Sequence, residues 1–97
     1  MEGFEVKLHG ENFYFNREGK TRKFGFYTRR LVRAGNSEEA GRMALKMVCR
    51  SSLLAGTLIE EKLLRPVIHL VQVRKVNPLA FLLKKSDSQI EFYPEEG

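Results

Sequence analysis

The sequence predicts an α+β fold: one domain over residues 1–97, with a mostly antiparallel sheet and one amphipathic helix packed on one face. Three observations carry this. Two aromatic-rich extended runs flank a short polar, glycine-containing stretch. A strongly capped helical segment follows them. Two further extended runs lie towards the C-terminus.

The first run alternates Phe4, Val6 and Leu8 with Glu5, Lys7 and His9, the period-two pattern of a half-buried strand. Gly10, Glu11 and Asn12 interrupt it as a bulge or a turn would, and Phe13-Tyr14-Phe15 resumes it. The segment Asn16–Lys20 reads as a hairpin loop. In the next strand Phe24, Phe26, Thr28, Arg30, Val32 and Ala34 share one face, and Gly25, Tyr27, Arg29, Leu31 and Arg33 the other. Asn36 or Ser37 caps a helix expected over Ser37–Arg50, with Glu39 placed as in a capping box. Its apolar stripe is expected to be Ala40, Met43, Ala44, Met47 and Val48. Residues 51–65 read either as a second short helix or as an irregular connection. The run from Val67 to Val73 is apolar on both faces at its start, which predicts a central strand. Asn77-Pro78 can open a helical turn through Leu79–Leu83, and Ile90 and Phe92 alternate with Glu91 and Tyr93 in a last short strand.

Composition excludes several classes. The 97 residues are 42% hydrophobic, which opposes intrinsic disorder, and no run is long enough to cross a bilayer. The acidic N-terminus lacks the apolar core of a secretory signal, and the single Cys49 fits a reducing compartment, so a cytoplasmic location is expected. Chemistry-bearing residues are sparse. Cys49 reads as a small buried thiol and the two histidines, His9 and His69, as packed or surface residues that by themselves define no metal site. If their strands are neighbours, the two imidazoles approach one another. The pairs Glu38/Glu39 and Glu60/Glu61 point in different directions, and no phosphate-cradling glycine loop is present. The expectation is a protein that is not an enzyme, holds no metal or cofactor, and has no membrane role.

Charge is concentrated. Residues 17–33 carry seven basic side chains against Glu18 alone, a net +6 in a chain whose total is +5. Arg17, Lys20, Arg22, Lys23, Arg29 and Arg33, with Tyr27 among them, are therefore candidates for binding an anion or a nucleic acid. The competing reading is a solvated face that keeps a long hairpin soluble. A second feature is an excess of leucines outside the expected helix and strands. Leu79, Phe81, Leu82 and Leu83 are the candidate homodimer interface, followed by a charged rim at Lys84 and Lys85. The leading function is a non-enzymatic binding or interaction module acting as a homodimer, with its small-molecule or macromolecular ligand unassigned. The alternative is nucleic-acid binding through the basic hairpin.

The run KFGFYTRRLVRA from Lys23 to Ala34, the helix start Glu38-Glu39-Ala40, and FYPEE from Phe92 resemble a family of small bacterial proteins with a GFYTxR strand motif. The resemblance implies a compact α+β domain. That family has no established activity, so the resemblance implies no functional residue.

Overall fold

The computed structural model describes residues 1–60, 62–77, 79 and 90–95. Strands β1 (Glu2–Arg17) and β2 (Lys20–Ala34) form a long antiparallel hairpin; helix α1 (Ser37–Cys49) follows, then β3 (Val67–Val76) and β4 (Ile90–Pro94). The sheet order is β3-β1-β2-β4, with every neighbouring pair antiparallel and α1 packed on one face. This is the α+β architecture that the sequence predicts.

The hairpin closes through two residues only, Glu18 and Gly19, whose φ values of 53° and 80° are the left-handed pair a tight two-residue turn requires. The strands consequently run further into residues 16–20 than a loop would allow. The interruption at Gly10–Asn12 is a bulge: the β1–β2 register shifts between Gly10 and Phe13, and Asn12 takes φ 64°.

On the covered face Phe4, Val6, Leu8, Phe13, Phe26 and Val32 meet Ala40, Ala44 and Val48 of α1. Gly10 lies directly under the Phe26 ring, which occupies the space a Cβ would need. Arg30 is also buried here, donating to Thr28 Oγ1 at 2.9 Å and to the Arg29 carbonyl at 3.1 Å. The helix starts as expected, with Asn36 Oδ1 accepting from the Glu39 amide at 2.8 Å.

Three expectations are corrected. The buried helix stripe is Ala40, Gly41, Ala44 and Val48, while Met43 and Met47 are 37% and 42% exposed. Small residues face the sheet because α1 approaches it closely: a side chain at Gly41 would press on Leu70. Cys49 is exposed rather than buried, since it closes the helix one step past Val48. Among the described residues strand β3 is an edge strand paired with β1 alone, and its apolar residues Val67, Leu70 and Val71 are exposed. On the helix side of its first half Ile68 and Val73 pack against the core and Leu70 lies against Gly41. Between α1 and β3 the chain is irregular, with a single 3-10 turn at Ser52–Leu54 and a bridge from Leu58 to Tyr14. The expected turn at 79–83 is described only at Leu79, which is 65% exposed; Phe81, Leu82 and Leu83 lie outside the described residues. Among the described residues no helix is long and apolar enough to cross a membrane.

Candidate functional site on the open sheet face

The face opposite α1 presents the alternate residues of all four strands, and register decides which of them meet. Lys7 stands opposite Arg29 on β2 and Gln72 on β3. One row further along, His9 stands opposite Tyr27 and His69, and Tyr27 opposite Glu91 on β4. At one end of this face Gly3, Glu5 and Val76 are buried; in the next two rows Arg29, Gln72, Tyr27, His69 and Glu91 are exposed, and Lys7 and His9 half-buried.

The second row is a band of rings. His9 stacks on Tyr27 with centroids 4.5 Å apart and planes 9° from parallel. Tyr93 stacks on Tyr27 at 5.4 Å, and His69 lies 6.0 Å from His9. Tyr93 reaches across β2 because Gly25 opposite it has no side chain: its ring fills that space, and its hydroxyl shares a hydrogen bond with His9 Nε2. Partial burial raises the Tyr93 pKa above 10.0, followed by the neighbouring Tyr27, Glu95 and Glu11.

Three of the acids on this face are committed, while Glu91, opposite Tyr27, is in no ion pair among the described residues. Glu5 pairs with Arg74 at 3.0 Å, Glu11 accepts from His69 Nε2 at 3.2 Å, and Glu95 faces Lys23 at 3.8 Å. Lys7 and Arg29 remain. They are like charges held directly opposite one another, and among the described residues neither has an acidic partner within ion-pair distance. Opposed like charges destabilise an antiparallel pair, and no ion pair among the described residues offsets that cost. The two cations line a shallow hollow of about 510 Å³ together with Tyr27, Val71 and Glu91.

The basic hairpin is therefore divided. Lys23, Tyr27, Arg29 and Arg33 lie on the open face, but Lys23 is engaged by Glu95. Arg17 sits at the turn with its guanidinium 5.6 Å from the Phe24 ring centre, and Lys20 and Arg22 are exposed near the same tip. These three do not join the cluster. The two histidines do come together, whereas Cys49 lies on the helix side of the sheet. Among the described residues no three His, Cys, Asp or Glu side chains gather in a metal-holding arrangement. Sequence reading misses Lys7 and Tyr93. Both lie in alternating runs that assign them to the outer face, but neither shows its cross-strand partner without the register.

No family model, curated protein or solved structure matches this chain.

Proposed function

We propose that this protein is a non-enzymatic binding module that holds an anionic ligand on the open face of its sheet. The observation that carries this reading is the Lys7–Arg29 pair, opposed and in no ion pair among the described residues, in a hollow beside exposed Tyr27. A bound anion relieves their repulsion, so the folded protein and the ligand stabilise one another. Binding is favoured over catalysis because each imidazole is already occupied, His9 by Tyr93 and His69 by Glu11, on a surface that does not exclude water.

Retention on phosphocellulose tests the proposal. Replacing Lys7 and Arg29 together by Ala is expected to lower the eluting salt concentration well below that of a Lys20→Ala, Arg22→Ala control of equal charge. Equal shifts in the two variants would assign retention to net charge and remove the site.

The proposal includes a homodimer. Exposed Leu79 and the exposed apolar residues of β3 support it, since β3 has an edge with no strand beside it among the described residues and such an edge can pair with a second copy. Light scattering showing a monomer at high micromolar concentration sinks that part.

A further inference from the structure

We infer that the ligand of the open face is a single-stranded nucleic acid, with a phosphate on Lys7 and Arg29 and a base carrying an exocyclic amino group on Tyr27. The inference rests on the anion-binding reading and adds the chemistry of the neighbouring row. The Lys7–Arg29 and His9–Tyr27 rows are two residues apart, about 7 Å along the strands. That step is comparable to the distance from the phosphate of a nucleotide to the ring of its base, the part that stacks on an aromatic side chain.

Tyr27 is suited to the second half of such a ligand. It is 52% exposed, yet His9 stacks on it at 4.5 Å and Tyr93 at 5.4 Å, so the ring is braced before any ligand arrives. A braced ring loses little freedom when a base stacks on it. A duplex would present phosphates to the cations but keep its bases stacked internally, leaving Tyr27 without a partner. An acidic peptide would satisfy Lys7 and Arg29 equally well but would likewise offer nothing flat to the ring.

Glu91 supplies the discrimination. It stands directly opposite Tyr27, lines the same hollow, and has no cation or hydrogen-bond partner among the described residues. A carboxylate in a hollow that binds phosphate opposes binding unless the ligand brings a donor to it. The amino group of cytosine or adenine does so; thymine and uracil present a carbonyl acceptor at the corresponding position and lose that bond.

Fluorescence anisotropy with labelled oligo(dC) and oligo(dT) of about 12 nucleotides, at about 50 mM salt, tests this on the full chain. Oligo(dC) is expected to bind roughly tenfold more tightly than oligo(dT), and Tyr27→Ala to lose about tenfold for oligo(dC). Glu91→Gln is expected to shrink the preference between the two while circular dichroism stays unchanged. Lys7→Ala should flatten the salt dependence of log Kd by about 0.7, one single-strand phosphate contact. Inorganic polyphosphate or a polyglutamate peptide binding as tightly as oligo(dC) overturns the nucleic-acid inference while leaving the anion site standing. Tighter binding of a duplex, or equal binding of oligo(dT), overturns it as well. If none of these anions binds, the anion site falls too.

Discussion

The two faces of this sheet use the same backbone device for opposite ends. On the covered face the ring of Phe26 lies over Gly10; on the open face the ring of Tyr93 lies over Gly25. In both places a glycine lets an aromatic side chain lie flat across the neighbouring strand. Phe26 fills volume there, fully buried and edge-on to Phe13 at 5.0 Å. Tyr93 instead delivers a hydroxyl to His9 and stays at the surface. The covered face is held by burial and close packing, and the open face by stacking, hydrogen bonds and ion pairs that remain in contact with water. A sheet that spends one face on its core in this way keeps the other available for a ligand.

The largest expected effect breaks the covered face. Ala44→Asp buries a carboxylate between α1 and the sheet, where Ala44 has no exposure. The cost is several kcal/mol, comparable to the whole stability of a small domain, and the variant should fail to fold. Met47→Asp, on the exposed side of the same helix, should stay within about 1 kcal/mol of wild type. Urea unfolding of the pair decides it. A folded, cooperative Ala44→Asp protein would show that α1 does not pack as described.

The glycines sharpen the comparison. Gly10→Ala forces Phe26 out of a filled core and should cost about 1–3 kcal/mol by overpacking. Gly25→Ala pushes Tyr93 towards solvent, where it can move freely, so the loss should be nearer 1 kcal/mol and consist mainly of the bond to His9. The imidazole resonances of His9 should shift in Gly25→Ala and hold in Gly10→Ala. Equal stability losses with no His9 shift would mean that the two rings are held alike.

How far the sequence discloses these faces depends on a single residue. Alternation correctly divides β2, placing Phe26, Thr28, Arg30 and Val32 with the core and Tyr27, Arg29 and Arg33 outside. Asn36 and Glu39 mark the helix start because capping is local chemistry. The site is not local. Arg17 pairs with Lys20 at the turn, and continuing that register unbroken would set Lys7 against Arg30; the bulge between Gly10 and Phe13 moves it to Arg29. Glycine and asparagine suggest a bulge at that place, but the partner on the next strand emerges only once it is counted. The helix stripe fails for a related reason. Methionines at helical spacing fit an apolar face, yet α1 approaches Leu70 and Val73 closely at Gly41, and the buried stripe runs through Ala40, Gly41, Ala44 and Val48 instead. The apolar run of β3 likewise does not reveal that, among the described residues, one of its two edges has no strand beside it.

The smallest effect concerns the hydroxyl that distinguishes Tyr93 from Phe26. Tyr93→Phe keeps the ring over Gly25 and removes only the bond to His9, a loss of about 0.5–1 kcal/mol at neutral pH. Its pH dependence is the sharper readout. The folded protein raises the Tyr93 pKa above 10.0, through burial first and then through Tyr27, Glu95 and Glu11, so the folded state holds that proton more tightly than the unfolded chain. The stabilisation is therefore complete below pH 10 and is lost as pH rises from there through the folded pKa. Stability measured by urea unfolding across this window should fall more steeply in the wild type than in Tyr93→Phe. The near-ultraviolet tyrosinate absorbance of the wild type should keep a late-titrating component that the variant lacks. Parallel stability curves, or a late component that persists in Tyr93→Phe, would place the hydroxyl in water and separate Tyr93 from the open-face cluster.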